Sequence, residues 1–323
     1  MKPSKTNLNA QGDEQRGSVR PLANNYERTN TRRKFLQAAG LSAAAAGLGW
    51  SGVAAAGVEA AGARVKAGAS VGAAAGRGAA ALQLGIAGFT FAHVPVDQGI
   101  AMMKRVGVGA LSIKDFYLPL DSTAATIQSV KEKFMASGIK IYAAGVIYMK
   151  AQAEVDRAFE YAKMLGVDLI VGVPNPELLA YTEQKVKTYN IRVAIHNHGP
   201  EDKLYPSPVD VYDHIKGLDI RMGLCLDIGH AARAGANPVE VIGKYGSRIF
   251  DLHVKDLAVI SREAKPIELG RGVLDIAGVV KALTRIGYTG YCSIEHEMDM
   301  NDPLPGIAES AGFFRGVVKG EGV

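Results

Sequence analysis

The sequence predicts an α/β fold in which eight parallel strands and eight helices close into a (β/α)8 TIM barrel. From residue 81 onward, short apolar and β-branched runs alternate with segments of helical period. Strict alternation requires parallel strands with right-handed crossovers, and eight units in about 240 residues is the size of a closed barrel. The first strand runs into Gly88-Phe89-Thr90 without the glycine-rich phosphate loop that a doubly wound sheet usually carries there. These observations favour the barrel over an open sheet.

Each element follows from a local pattern. The predicted strands are the β-branched runs at 82–89, 109–114, 139–146, 168–173, 191–197, 221–227, 249–255 and 290–296. The predicted helices lie near 96–107, 122–138, 151–166, 176–189, 206–216, 237–246, 274–287 and 304–318. Glycine closes several of them, as at Gly107 and Gly166, because it accepts the left-handed backbone of a helix end. Asn237-Pro238 has the residue types preferred at a helix N-cap and at the first helical position.

Residues 1–56 have the pattern of an export signal. The pair Arg32-Arg33 precedes an apolar stretch of Ala, Gly and Leu, which resembles a bacterial twin-arginine signal, and Ala54-Ala55-Ala56 offers a small-x-small cleavage site. The alternative is a transmembrane anchor, but a spanning helix needs about 20 strongly apolar residues and this stretch is short. We therefore predict recognition by the twin-arginine export machinery, cleavage near Ala56, a periplasmic location and no stable membrane anchor.

Composition and charge limit the remainder of the chain. Residues 57–80 are nearly all Ala, Gly and Val, so we predict a flexible linker before a barrel at 81–323. The chain holds 37 basic and 32 acidic residues, and residues 1–56 contain eight basic and three acidic ones, which leaves 29 of each. Because this remainder is neutral, no overall field favours nucleic acid or an anionic membrane.

Histidine and acidic residues collect at the ends of the last four predicted strands, where such a barrel carries its catalytic residues. Alternation of side chains along each strand assigns His196, Asp227, His253 and Glu295 to the barrel interior. Two imidazoles and two carboxylates suit one divalent ion, such as Mn, Zn, Co, Fe or Mg. The alternative is a buried hydrogen-bonded network without a metal. Four such groups at four consecutive strand ends favour the metal.

The same alternation separates the two cysteines. It places Cys225 inside the barrel and Cys292 outside, on different strands. A disulfide requires Cα atoms within about 7 Å of each other. We therefore predict that both cysteines stay reduced.

Four motifs follow one another along the second half of the chain. They are Asp227-x-x-His230, His253-Val254-Lys255-Asp256, Gly270-Arg271-Gly272-Val273-Leu274-Asp275 and Ile294-Glu295. In this order and spacing they resemble the sugar phosphate isomerase/epimerase superfamily of xylose-isomerase-like barrels, over roughly residues 82–318. That superfamily includes ketose 3-epimerases, inosose dehydratase and isomerase and, more distantly, endonuclease IV. The motifs do not specify the substrate.

The resemblance implies a role for each matching residue. It implies that Asp227 and His253 are metal ligands, that Glu295 is both a ligand and the acid/base, and that His230 contacts substrate oxygen. At the fifth strand the ketose epimerases have a glutamate that is a ligand and a second proton-transfer group, whereas this chain has a His-Asn-His motif. We take His196 as the ligand, and His198 as the alternative ligand and a substrate-binding candidate.

This departure affects the chemistry that the sequence predicts. With Glu295 as the one clear base, a one-base isomerisation or the loss of a β-leaving group fits better than a two-base 3-epimerisation. Lys255 is a second catalytic candidate, which could stabilise an enolate, donate a proton or pair with Asp227. Lys114 at the end of the second strand and Glu268 before the glycine motif are candidate substrate-binding residues.

The sequence therefore predicts an exported, divalent-metal-dependent sugar isomerase, epimerase or lyase. The expected reaction abstracts a proton next to a carbonyl or hydroxyl of a carbohydrate, which is a free or oxidised sugar, a glycoside or an inositol. One alternative is an endonuclease-IV-like metal phosphodiesterase, a class that uses a three-metal cluster and a basic groove. Another is a non-catalytic sugar-binding barrel. The neutral charge of residues 57–323 argues against a nucleic-acid substrate.

Overall fold

The computed structural model of the protein describes residues 82–322. The predicted signal at 1–56 and the predicted linker at 57–80 lie outside the described residues, so both stay predictions. Within the described part, no helix is long and apolar enough to cross a membrane.

Eight parallel strands form a closed barrel, which confirms the predicted fold class. Each strand pairs with its neighbours in chain order, and the first strand also pairs with the last. The strands are β1 Gln83–Ala87, β2 Ala110–Ile113, β3 Lys140–Met149, β4 Leu169–Pro174, β5 Arg192–His196, β6 Met222–Asp227, β7 Ile249–Val254 and β8 Tyr291–Ile294. All eight coincide with a predicted strand to within a few residues.

The helices connect consecutive strands on the outside of the barrel. They are α1 Val96–Val106, α2 Ala124–Ala136, α3 Gln152–Leu165, α4 Leu179–Tyr189, α5 Pro208–Ile215, α6 Ile228–Arg233, α7 Pro238–Tyr245, α8 Ile276–Arg285 and α9 Leu304–Gly320. The predicted caps are confirmed: Gly107 and Gly166 have φ of 67° and 76°, and the Asn237 side chain accepts a hydrogen bond from the Val239 backbone N–H at 2.9 Å.

Apart from short 3-10 turns, two short elements of the described residues were not predicted. Helix α6 begins directly after β6, and a two-stranded antiparallel ribbon pairs Asp256–Leu257 with Pro266–Ile267 after β7. Both lie at the carboxyl ends of strands, in the loops that carry the sequence motifs. They therefore shape the end of the barrel where the polar residues meet.

The alternation of side chains divides the strands into an outer and an inner face. Leu224, Leu226, Leu252 and Val254 alternate with the polar residues of β6 and β7 and are fully buried in the hydrophobic core. Burial of each such side chain stabilises the fold by about 2 kcal/mol. The motif residues on the inner face are thus carried by strands that are anchored on their other face.

The barrel interior contains a buried polar layer below the strand ends. The Tyr142 hydroxyl donates to Asp251 Oδ2 at 3.0 Å and lies 2.5 Å from Ser293 Oγ. Gly85 makes room for this pair, because a Cβ there would lie 2.7 Å from Ser293 Oγ. Burial raises the pKa of Asp251 to about 7.

Both cysteines are free and buried, which confirms the prediction that they stay reduced. Cys225 Sγ lies 4.0 Å from Asp251 Oδ2 inside the barrel. Cys292 alternates with the inward-facing Ser293 and belongs to the hydrophobic core.

Candidate functional site

The four residues predicted as metal ligands meet at the carboxyl ends of four neighbouring strands. His196 Nε2 is 3.0 Å from His253 Nδ1 and 3.7 Å from Asp227 Oδ2. His253 Nδ1 is 3.3 Å from Glu295 Oε2. One nitrogen or oxygen from each residue lies within 4.8 Å of the others. Atoms that bind one ion at about 2.0–2.3 Å are at most about 4.6 Å apart, so these side chains are close to the spacing of one coordination shell.

The environment of the cluster also fits a divalent ion. All four side chains are nearly or fully buried. The ring nitrogens on the inner side of the cluster, His196 Nε2 and His253 Nδ1, lie 3.7 and 3.3 Å from the carboxylate oxygens Asp227 Oδ2 and Glu295 Oε2. Buried atoms of this kind that face one another suit a shared cation, to which each would contribute one lone pair. Two imidazoles with two carboxylates are a donor set that divalent transition metals accept.

Asp227 has two separate tasks because of where β6 ends. It is the N-cap of α6, and its Oδ1 accepts the backbone N–H of His230 at 2.7 Å. This bond directs Oδ2 toward His196. The D-x-x-H spacing thus reflects an N-cap geometry, in which the residue three positions on donates to the cap.

Asn197, between the two histidines of the His-Asn-His motif, holds the ends of β5 and β6 together. Its side chain accepts the Asp227 backbone N–H and donates to the Asp227 carbonyl, both at 3.1 Å. The reciprocal pair fixes His196 relative to Asp227. The sequence prediction missed this role, although a buried amide between two site residues is a usable signal.

Lys255 lies beside the cluster and contacts three carboxylates. Its Nζ is 2.8 Å from Glu295 Oε2, 3.0 Å from Asp227 Oδ2 and 3.0 Å from Glu297 Oε1. Burial would lower the pKa of Lys255, but the three carboxylates outweigh burial and raise it. Glu297 was not predicted as a site residue. Glu297 follows Glu295 by two residues but lies in the loop beyond β8, where the alternation of a strand no longer fixes the direction of a side chain.

Two opposing effects determine the pKa values of Asp227 and Glu295, the two cluster carboxylates that contact Lys255. These effects are burial and the charges of neighbouring residues. Burial alone would raise the pKa of Glu295, but the charges of Lys255 and His253 outweigh it and lower that pKa. Burial also acts to raise the pKa of Asp227, but the positive charge of Lys255, 3.0 Å from Asp227 Oδ2, contributes to lowering it. Both side chains are therefore carboxylates at neutral pH.

His198 and His230 lie at the rim of the cluster. His198 Nε2 is hydrogen-bonded to the Tyr148 hydroxyl at 3.0 Å, and its ring is 4.3 Å from that of His196. His230 Nε2 is 4.0 Å from Asp227 Oδ2. Burial lowers the pKa of His198 to about 2 and that of His230 to about 4, so both rings are neutral at pH 7. The structure thus brings His196, rather than His198, into the four-residue cluster.

The other two substrate-binding candidates have partners elsewhere. Lys114 Nζ donates to Asp115 Oδ1 at 2.7 Å, just after β2. Glu268 lies 3.6 Å from Arg271 Nη1 in the loop that follows the ribbon. Neither contact involves a residue of the four-residue cluster. Their predicted roles in substrate binding stay predictions.

The glycine motif is organised around Asp256. Asp256 Oδ1 accepts the backbone N–H groups of Leu257 and Leu274 at 2.9 and 3.0 Å. Its Oδ2 accepts those of Gly270 and Gly272 at 3.0 and 3.1 Å. A Cβ on Gly272 would lie 2.2 Å from Asp256 Oδ1, so only glycine fits there. The Lys-Asp step of the motif therefore serves both the site, through Lys255, and the loop beside it, through Asp256.

Comparisons with known proteins agree with this architecture. The rhizopine catabolism protein MocC of Rhizobium meliloti is 26% identical over 137 residues, which are 38% of this chain and 42% of that protein. An inosose dehydratase of Clostridium botulinum is 33% identical over 91 residues, which are 24% of this chain and 30% of the enzyme. The aligned segments thus span less than half of these relatives.

A solved structure and a family model cover more of the chain. The IolI protein, solved with a bound zinc atom, shares 18% sequence identity and superimposes with a TM-score of 0.64 over 74% of this chain and 99% of that one. This likeness is one of fold. The model of the xylose isomerase-like TIM barrel family matches residues 79–317, most of the sequence. The chain therefore belongs to the xylose isomerase-like TIM barrel family.

Proposed function

We propose that the chain is an exported, divalent-metal-dependent enzyme that isomerises, epimerises or dehydrates a sugar or an inositol. The observation that carries the proposal is the convergence of His196, Asp227, His253 and Glu295, with one ligand-type atom of each within 4.8 Å of the others. The similarity to an inosose dehydratase supports a substrate of the sugar or inositol class. Free or oxidised sugars, glycosides and inositols suit an exported enzyme.

The four converging side chains would hold the ion. A divalent ion bound there would polarise a carbonyl or hydroxyl oxygen of the substrate and so acidify the adjacent C–H. Glu295 is the proton acceptor, because the charge of Lys255 keeps it ionised despite its burial. Its contact with Lys255 at 2.8 Å fixes one carboxylate oxygen and leaves the other to approach the substrate.

The proton taken up by Glu295 determines the outcome. Returned to the neighbouring carbon, which was the carbonyl carbon, it completes an isomerisation, while the hydroxyl proton of the first carbon passes to the former carbonyl oxygen. Delivered to a β-hydroxyl group, it leaves with that oxygen as water, and a double bond forms between the two carbons. Both outcomes need only one base. This agrees with the end of β5, where this chain has a histidine at the position that provides the second carboxylate in a two-base epimerase.

The rim histidines would orient the substrate. A neutral imidazole has one donor and one acceptor nitrogen, which suits the hydroxyl groups of a sugar ring. His230 and His198 are both neutral at pH 7 because burial lowers their pKa values. His230 lies beyond the strand end, in α6, with its Nε2 4.0 Å from Asp227 Oδ2.

The decisive experiment follows proton exchange without requiring a known product. The protein is loaded with Mn, Co or Zn and incubated in deuterated water with free sugars, 3-oxo sugars and inososes, and C–H signals are followed by NMR. We expect exchange at one carbon next to a carbonyl, and metal analysis should find bound ion. Absence of bound metal together with absence of exchange would reject the proposal. Cleavage of abasic DNA without sugar exchange would favour the phosphodiesterase.

A further inference from the structure

We infer that the Lys255 ammonium group occupies the position of a second cation and restricts the centre to one divalent ion. The inference rests on the proposed metal site, because it concerns the number of ions that this site accepts. It assigns Lys255 a positioning role: the lysine sets the charge and the occupancy of the centre.

The contacts of Lys255 are those of a bound cation. Three carboxylate oxygens surround Nζ at 2.8–3.0 Å, from Asp227, Glu295 and Glu297. An ammonium group has three N–H donors, so three carboxylates use all of them. The Lys255 side chain is 2% exposed, which leaves little access for water. A buried ammonium ion is stable only when it is paired in this way.

The residues around Lys255 include a second ligand-type set. His230, Glu295 and Glu297 each offer an atom within 4.8 Å of the others. This second set shares Glu295 with the four-residue cluster. Two-metal enzymes hold their ions about 3.5–4 Å apart. The acidic residues for a two-ion centre are therefore present, and Lys255 contacts both Glu295 and Glu297.

The charges of the buried groups explain why one ion is enough. Asp227, Glu295 and Glu297 supply three negative charges, and Lys255 supplies one positive charge. One divalent ion then makes the group neutral. A second divalent ion would leave two uncompensated positive charges in a buried site, which is strongly unfavourable. Without Lys255, a single divalent ion leaves one of the three negative charges uncompensated, so the site attracts a further cation.

A glycine keeps Lys255 in its position. A Cβ on Gly229 would lie 2.4 Å from Lys255 Cγ and 2.7 Å from Cδ, so the aliphatic part of the lysine fills the space above that residue. Gly229 belongs to α6, which is fixed to the site by the Asp227 cap. The ammonium group is thus held by packing of its stem as well as by the carboxylates.

The test counts ions in matched variants. The wild type and Lys255→Ala are stripped of metal, exposed to excess Mn²⁺ or Co²⁺ and dialysed, and the ions per chain are measured by mass spectrometry and calorimetric titration. We expect one ion in the wild type and two in Lys255→Ala. Lys114→Ala is the control, because it removes a different lysine that lies at a strand end and pairs with a carboxylate. This variant should keep one ion per chain. Lys255→Ala with Glu297→Gln should return to one ion.

Each result distinguishes the inference from the proposed function. One ion in both the wild type and Lys255→Ala overturns the inference and leaves the metal proposal intact. Two ions in the wild type also overturn it. No ion in either protein overturns both. No ion in the wild type and one in Lys255→Ala also overturns both, because the lysine would then occupy the place of the first ion and not of a second. If Lys255→Ala fails to fold by circular dichroism, Lys255→Gln, which keeps a hydrogen-bond donor, replaces it with the same expectations.

Discussion

At the scale of single residues, Glu295 combines two roles that one substitution can separate. Glu295→Gln keeps an oxygen that can bind metal but removes the basic carboxylate. We expect metal to remain partly bound, while exchange of substrate C–H with solvent falls by about 10²-fold or more, the usual contribution of a general base. Exchange is measured by NMR and metal by elemental analysis.

A variant at the rim serves as the control for Glu295. His230→Ala should weaken substrate binding and leave the metal in place, because His230 is not one of the four converging residues. Full exchange activity in Glu295→Gln would instead move the base to Lys255, His198 or Lys114.

His198 should make the metal-free protein less stable in acid. Burial lowers its pKa from 6.5 to about 2, so the folded protein holds this ring neutral while the unfolded chain protonates it. The neutral His198 ring costs no stability above about pH 6.5. Its contribution to the free energy of unfolding then falls progressively as the pH decreases from 6.5 toward 2. At pH 5.5 the loss from this residue is about 1 kcal/mol.

The variant His198→Gln isolates this contribution. Its free energy of unfolding, measured with urea in the presence of a chelator, should fall less between pH 7.5 and pH 5.5 than that of the wild type. The raised pKa of Asp251 acts in the opposite direction but is common to both proteins. Parallel pH curves for the two proteins would contradict the prediction.

The identity of the converging residues could be predicted because strand alternation is a strict geometric rule. His196, Asp227, His253 and Glu295 all come from β-strands or directly follow one, and the two-residue period places each of them inward. Glu297 and Tyr148 were missed for a different reason. Glu297 lies in a loop, and the contact of Tyr148 with His198 joins β3 to the loop after β5, so neither is fixed by the period of one strand.

At the scale of elements, the loop between β7 and α8 depends on one carboxylate. Asp256 accepts four backbone N–H groups and is 1% exposed. Asp256→Ala leaves all four donors without this partner, and each buried unsatisfied group costs about 1–3 kcal/mol. We expect a loss of about 3 kcal/mol or more in the free energy of unfolding, measured by urea denaturation.

The matched substitution Asp256→Asn keeps one acceptor oxygen and should lose less stability than Asp256→Ala. The number of metal ions per chain should stay the same in the folded fraction of both, because Asp256 is not among the converging residues. An unchanged midpoint in Asp256→Ala would show that the loop has other support.

The eight strands and the eight long helices could be predicted because each carries a clear hydrophobic period or a cap. Helix α6 could not, because six residues that include Gly229 are too short to show a helical period. The ribbon could not either, since each of its strands has two residues. The side chain of Asp227 caps α6, and the ribbon residue Asp256 bonds to the glycine motif that follows.

At the scale of the whole molecule, the sequence before the barrel determines the predicted location. Arg32→Lys combined with Arg33→Lys should leave unprocessed precursor in the cytoplasm, because the paired arginines are the recognition element of the predicted signal. Cell fractionation with detection of the chain checks this. Arg28→Lys is the control, since it changes an arginine outside the pair. Normal periplasmic accumulation of the double variant would contradict the predicted route.

The reactivity of the two buried cysteines can show whether the chain folds before it is transported. Cys225 and Cys292 are 0% exposed, and burial raises the pKa of the Cys225 thiol to about 12, so a maleimide reagent can modify them only while the chain is open. A chain that folds before it crosses the membrane would become unreactive in the cytoplasm, whereas a chain threaded through the membrane unfolded would stay reactive until it arrived. Pulse labelling of the two natural cysteines in the precursor therefore shows whether folding or transport comes first.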